Sequence, residues 1–131
     1  MPITVAIPKE QTPDERRVAL VPEIARRLAK LGVTVVIEKE VGKRAHFLDN
    51  AYQEVQIVEN ANELYQKADV VLKVQPPTES EIEQMKEGTV VIGFMAPHHD
   101  PNRVAKLRDR KVTSLAMELV PRISRAQSMD A

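Results

Sequence analysis

The chain has 131 residues, 43% hydrophobic and 29% charged, a composition that predicts one folded domain with an apolar core. It contains no cysteine, which excludes disulfides and cysteine ligands for a metal. Nineteen Lys and Arg residues balance nineteen Asp and Glu residues, so the chain lacks the general attraction of basic proteins for nucleic acids and anionic membranes. With no signal-peptide pattern and no run of about eighteen apolar residues, we expect a cytoplasmic protein.

Five short runs rich in β-branched residues predict five strands. They cover residues 3–7, 33–38, 70–74, 89–94 and 112–117. Because these runs are continuously apolar instead of alternating, each strand is expected to be covered on both faces, as in a parallel sheet.

Helical patterns occupy the stretches between the strands, at residues 22–31, 60–67, 80–86 and 101–110. In the first, Pro22 suits the first helical position, Ile24, Leu28 and Leu31 share one face, and Gly32 ends the pattern. Residues 39–52 lack periodicity and predict a loop with one short helical turn.

Alternating strands and helices predict βαβ units with right-handed crossovers. The expected fold is α/β with three layers: a mainly parallel five-stranded sheet with helices on both faces, of Rossmann or flavodoxin type. Residues 1–131 would form a single α/β subdomain.

Two cations lie where open parallel sheets bind ligands, beyond the carboxyl ends of the strands. Lys73 stands inside the apolar VVLKV segment, and Arg17 directly precedes VAL. A lysine with buried neighbours is costly unless it meets an anion. Arg17 and Lys73 could therefore hold a carboxylate or phosphate in a shared cleft, or form structural ion pairs with Glu10 or Glu15.

Several common catalytic motifs are absent from the sequence. The four glycines never form G-x-G-x-x-G or a P-loop, and there is no G-x-S-x-G or H-E-x-x-H. His98 and His99 are adjacent and have no third ligand at a suitable spacing, so we expect a solvated loop and no metal site there.

The carboxyl end carries a dense set of polar groups. Ser124 and Gln127 have the spacing of a capping box, which predicts a helix beginning near Arg125. A helix that stops at Ala131 would be marginal, so we expect the natural polypeptide to continue. The polar groups either bind a polar ligand or only cap the helix.

The opening VAIPKEQTPDERRVALVPEIARRLAKLGVTVVIEKEVG resembles the amino-terminal domain shared by alanine dehydrogenases and the alpha subunit, or domain I, of proton-translocating NAD(P) transhydrogenases. The string MELVPRISRAQSMDA is similar to the transhydrogenase branch in particular. The resemblance covers the whole chain.

The resemblance implies a component, usually dimeric, that binds NAD(H) and passes hydride to NADP(H) held by another component, while a membrane domain moves protons. The protein would then be cytoplasmic and peripheral to the inner membrane through its partner subunits. Family residues beside the nicotinamide fall on Arg122, Gln127 and Asp130. No catalytic acid or base is implied, because hydride passes directly between two nicotinamides.

In the alanine dehydrogenase branch, the residues matching Arg17 and Lys73 hold the keto-acid substrate, and a catalytic histidine follows the fourth predicted strand. Here Ala96 stands at the position of that histidine, which favours the transhydrogenase branch. The family's glycine-rich nucleotide-binding subdomain would follow residue 131, so we expect the 131-residue chain alone to be inactive and to bind NADH weakly. The alternatives are an alanine dehydrogenase fragment and a non-catalytic α/β interaction module.

Overall fold

A six-stranded parallel sheet forms the centre of the structure. The structure is a computed structural model that describes residues 3–11, 15–93 and 101–116. Every strand pairing is parallel, and the order across the sheet is β3-β2-β1-β4-β5-β6. The strands are β1 (Thr4–Ile7), β2 (Thr34–Glu38), β3 (Gln56–Val58), β4 (Val70–Leu72), β5 (Val90–Gly93) and β6 (Thr113–Ala116).

The predicted fold class is confirmed, but the predicted number of strands is wrong. The missed strand is β3, which lies at the edge of the sheet beside β2 and has only three residues. Gln56 and Ile57 are exposed and only Val58 is buried. An edge strand of this length has no continuous apolar run, so the pattern that reveals buried strands is absent from its sequence.

In the described part of the chain, four helices cover the two faces of the sheet: α1 (Pro22–Lys30), α2 (Ala61–Lys67), α3 (Glu79–Gln84) and α4 (Pro101–Asp109). Ala25 of α1 belongs to the core cluster on one face. Leu64 of α2, Ile82 of α3 and Leu107 of α4 belong to the cluster on the other face. The sheet is therefore the middle of three layers, as the sequence predicts.

The loop after β2 contains two short 3₁₀ turns, at Lys43–Ala45 and Asp49–Ala51, where one helical turn is predicted. Tyr52 closes this loop, since its buried hydroxyl donates a hydrogen bond to the carbonyl oxygen of Leu20, 2.8 Å away. Within the described residues, no helix has the length and apolar character needed to cross a membrane.

Candidate binding site at the carboxyl edge of the sheet

The strand order creates a crevice between β1 and β4. From β1 the chain proceeds outward to β2 and β3 on one side, and from β4 to β5 and β6 on the other. In open α/β sheets, ligands bind beyond the carboxyl ends of the strands at such a switch point. The loop that follows β1 carries Glu10, Glu15 and Arg17, and Lys73 directly follows β4.

Lys73 is the centre of a buried ionic cluster in this crevice. Its side chain is 1% exposed, and its Nζ lies 3.2 Å from Oε1 of Glu10 and 3.3 Å from Oε2 of Glu81. Both glutamates are buried as well. The ammonium is thus paired with two protein carboxylates, which offsets the cost of removing it from water.

The carboxylate of Glu81 is held by α3 and by Tyr65. Thr78 and Glu81 form a capping box: the Glu81 amide donates to the Thr78 hydroxyl, and the Thr78 amide donates to Oε1 of Glu81. The fully buried Tyr65 donates its hydroxyl to Oε2 of Glu81 at 2.8 Å. Burial is the largest cause that raises the pKa of Tyr65, and the neighbouring Glu81 carboxylate adds to it, so the phenol stays protonated and donates.

Glu10 joins the two loops of the crevice. Its Oε2 accepts a hydrogen bond from the backbone amide of Val74 at 2.8 Å, and its Oε1 accepts one from the amide of Gln75 at 3.1 Å. The same carboxylate pairs with Lys73. The segment after β1 is therefore held against the segment after β4 by one buried side chain.

Arg17 belongs to a second ion pair at the mouth of the crevice. Its Nε and Nη2 donate to the two oxygens of Glu15, at 2.8 and 3.0 Å. Gln75 donates its side-chain amide to the same carboxylate at 2.6 Å. The guanidinium is 66% exposed whereas Glu15 is 5% exposed, so Arg17 is oriented by Glu15 and presents the rest of its surface to solvent.

Arg17 and Lys73 line one cavity of about 390 Å³. Its walls are otherwise apolar, apart from backbone groups. The remaining lining residues are Val18, Ala19, Leu72, Val74, Ile92 and Gly93. A cavity with apolar walls and a single exposed cation suits a ligand with an apolar part and a hydrogen-bond acceptor.

Both cations therefore reach the same region of the fold, but with different partners. The sequence left open whether these cations bind a ligand or form ion pairs with Glu10 or Glu15; in the structure Lys73 pairs with Glu10 and Arg17 with Glu15. Whether Arg17 also binds a ligand stays a prediction. The residues Arg122, Gln127 and Asp130, together with Ala96, His98 and His99, lie outside the described residues.

The sequence did not identify three further residues of this site, Tyr65, Gln75 and Glu81. A signal for Glu81 does exist, since T-x-x-E at residues 78–81 is a capping box ahead of a helix. Tyr65 and Gln75 carry no comparable signal, because their roles depend on how α2 and the β4 loop pack together.

Acid should weaken the fold through Glu15. Hydrogen bonds from Arg17, opposed by burial, lower the pKa of this carboxyl from 4.5 to about 2. Because the folded-state pKa is depressed, the unfolded chain binds more protons between these values. The stabilisation is complete above about pH 4.5 and is lost as the pH falls toward 2.

We expect Glu15→Gln to flatten the pH dependence of the free energy of unfolding in this window, measured by urea denaturation at a series of pH values. Glu23→Gln, which removes a carboxylate from an exposed pair with Arg27, controls for the loss of one acidic group. Equal slopes for Glu15→Gln and the unmodified chain would contradict the assignment.

The chain belongs to the family described as "Alanine dehydrogenase/PNT, N-terminal domain", whose profile matches residues 6–131. It is 39% identical over 128 residues to the NAD(P) transhydrogenase subunit alpha of Haemophilus influenzae, covering 97% of this chain and 25% of the relative.

Two solved structures are similar to the fold. The transhydrogenase from Sinorhizobium meliloti superposes with a TM-score of 0.89 at 38% identity, covering 97% of this chain and 38% of that one. An L-alanine dehydrogenase superposes with a TM-score of 0.82 at 28% identity, covering 87% of this chain and 32% of that one. The chain thus spans between a quarter and two fifths of the length of these three proteins.

Proposed function

We propose that the chain is the amino-terminal part of the NAD(H)-binding component of a proton-translocating NAD(P) transhydrogenase, an oxidoreductase that transfers hydride between NADH and NADP⁺. The family and the names of the relatives support a transhydrogenase component. The observation that carries the proposal is the cavity at the switch point, with apolar walls and one exposed guanidinium.

The residues of the cavity fit the nicotinamide end of NAD(H). Leu72, Val74 and Ile92 offer an apolar surface to a flat ring, and Arg17 offers donors to a carboxamide oxygen. NAD(H), when bound, supplies or accepts the hydride. The chain itself would orient the ring and exclude water from it, and hydride transfer requires no proton on a heteroatom of the protein.

The proposal includes Arg122, Gln127 and Asp130 as a set that positions the nicotinamide. A Gln amide can pair with the carboxamide, while Arg and Asp can hold the loop and each other. The partners would be a second copy of the component and the NADP(H)-binding and membrane-spanning subunits. Through them the protein would lie at the cytoplasmic surface of the inner membrane.

An alanine dehydrogenase-like reaction is the second candidate. Arg17 and Lys73, which the resemblance assigns to keto-acid binding, line the same cavity. However, the ammonium of Lys73 already pairs with Glu10 and Glu81, and Ala96 stands at the position of that branch's histidine.

A chimera separates these possibilities. The chain replaces the matching segment of the Sinorhizobium meliloti transhydrogenase, and NADH binding is measured by calorimetry. Hydride transfer is then followed after an NADP(H)-binding component is added. Retained binding and transfer are expected. A folded chimera that binds no NADH would contradict the proposal, and oxidation of NADH with pyruvate and ammonia would favour the second candidate.

Within this chimera, we expect Gln127→Asn to slow hydride transfer by about tenfold, equivalent to about 1.4 kcal/mol, because the shorter side chain keeps the amide but loses reach. NADH affinity should change less. Stopped-flow absorbance measures the transfer step. Ser124→Ala, which removes the predicted cap alone, is the control. An unchanged transfer rate in Gln127→Asn with normal NADH binding would assign Gln127 to capping.

A further inference from the structure

Gln75 connects the two ionic groups of the crevice. Its backbone amide donates a hydrogen bond to Oε1 of Glu10, 3.1 Å away, and its side-chain Nε2 donates one to Oε1 of Glu15 at 2.6 Å. We propose that Gln75 is a positioning residue that, through the Glu15 carboxylate, orients the Arg17 guanidinium toward the ligand of the cavity. That this ligand is the carboxamide of a nicotinamide rests on the proposed function.

The buried cluster around Lys73 holds the backbone of Gln75. The Glu10 carboxylate that accepts from the Gln75 amide also accepts from the amide of Val74 at 2.8 Å and pairs with Lys73 at 3.2 Å. Glu10 is itself buried. Because the main chain at residue 75 is held from inside the protein, its side chain approaches Glu15 from a fixed point.

The two oxygens of Glu15 are shared between Gln75 and Arg17. Oε1 accepts from Nε2 of Gln75 and from Nη2 of Arg17, the latter at 3.0 Å. Oε2 accepts from Nε and from the backbone amide of Arg17, both at 2.8 Å. Since the guanidinium pairs with both oxygens, fixing the plane of the carboxylate also fixes the plane of the guanidinium. A neutral amide can hold Glu15 in this way without replacing Arg17 as its cation.

Contacts that do not involve Gln75 hold the main chain that follows Arg17. The residues from 18 to 20 pack against the apolar core on this face of the sheet, and the Tyr52 hydroxyl donates to the carbonyl oxygen of Leu20 at 2.8 Å. Burial is the largest cause that raises the pKa of Tyr52 to about 12, so this phenol remains a donor. Removal of the Gln75 amide should therefore loosen the guanidinium, whose side chain is 66% exposed, and leave the cavity wall in place.

Gln75→Met tests the positioning role in the 131-residue chain, because methionine keeps most of the volume of glutamine and lacks its amide. NMR relaxation of the side-chain Nε–H group measures the order of Arg17. We expect its heteronuclear NOE to fall from a value like that of the backbone to that of Arg26, an exposed arginine of α1. Gln84→Met is the matched control, since the Gln84 amide donates within α3, to the Ser80 carbonyl oxygen at 3.3 Å.

A double-mutant cycle with Arg17→Gln measures the effect on ligand binding in the Sinorhizobium meliloti chimera. Gln75→Met should weaken NADH binding by about threefold to tenfold, because the guanidinium must then be ordered during binding. In the Arg17→Gln background the same change should have little further effect, since Gln75 acts through Arg17. Circular dichroism verifies that each variant is folded.

Three results would overturn the inference: an unchanged NOE of Arg17 in Gln75→Met, an equal fall in Gln84→Met, or an equal loss of NADH affinity from Gln75→Met with and without Arg17. A chimera with Gln75 intact that binds no NADH contradicts the proposed function instead. The NMR comparison then still decides whether Gln75 positions Arg17.

Discussion

Replacing Lys73 by methionine is expected to lower the free energy of unfolding by about 3–5 kcal/mol, the range observed when one partner of a buried ion pair is removed. The variant leaves Glu10 and Glu81 buried and without their cation. Methionine retains most of the lysine volume, so the loss reports the charge and not a cavity. Urea denaturation followed by circular dichroism measures it.

Two further variants make this result specific. Lys67→Met changes an exposed lysine of α2 and should alter the free energy of unfolding by no more than about 0.5 kcal/mol. Adding Glu81→Gln to Lys73→Met should recover part of the loss, because one uncompensated carboxylate is gone. A loss below about 1 kcal/mol in Lys73→Met would contradict the assignment of Lys73 as the buried cation on which the two carboxylates depend.

Gly93→Ala is expected to lower the free energy of unfolding by about 3 kcal/mol, which is the upper end of the usual cost of overpacking a protein core. A Cβ at this position would lie 2.3 Å from the carbonyl oxygen of Lys73. That oxygen belongs to the backbone, and the Lys73 amide donates to the Ile92 carbonyl at 3.0 Å, so relief requires β4 and β5 to separate locally.

Gly32→Ala is the appropriate comparison for Gly93→Ala. Gly32 has a φ of +93° and no atom within 4 Å of an added Cβ, so alanine there meets conformational strain without a collision. Its cost should be about 1 kcal/mol. Equal losses in the two variants would show that the contact with Lys73 relaxes easily and would contradict the prediction for Gly93.

The interior strands could be predicted because burial on both faces leaves a direct trace in the sequence. Residues 70–74 predict β4 well, whereas β3 has one buried residue and no such trace. The starts of the helices were predicted to within one residue. Pro22 suits the first position of α1 and Asn60 caps the first turn of α2, and both preferences depend only on neighbouring residues. The side chain of Asn60 accepts a hydrogen bond from the Glu63 amide, which is a contact between near neighbours.

The site could be predicted only in part, because its contacts join residues that are distant in the chain. The apolar neighbours of Lys73 predict that the segment around it is buried, and its need for an anion follows from the cost of removing an ammonium from water. Its actual partners depend on the placement of β1 beside β4 and on the docking of α3. Glu10 lies 63 positions away in the chain, and no local pattern specifies that pairing. The sequence therefore predicts that Lys73 requires an anion, and it does not identify Glu81 as one of its partners.

The bridge formed by Glu10 has a consequence for folding kinetics. Its hydrogen bonds to Val74 and Gln75 join segments separated by 64 and 65 positions, with the strands β2, β3 and β4 and the helices α1 and α2 between them. Closing a loop of this length precedes any gain from the contacts, so the bridge should form late, after β1 and β4 have docked. Interactions absent from the transition state act on the unfolding rate. The buried cluster would thus prolong the lifetime of the native state while leaving the rate of its formation nearly unchanged.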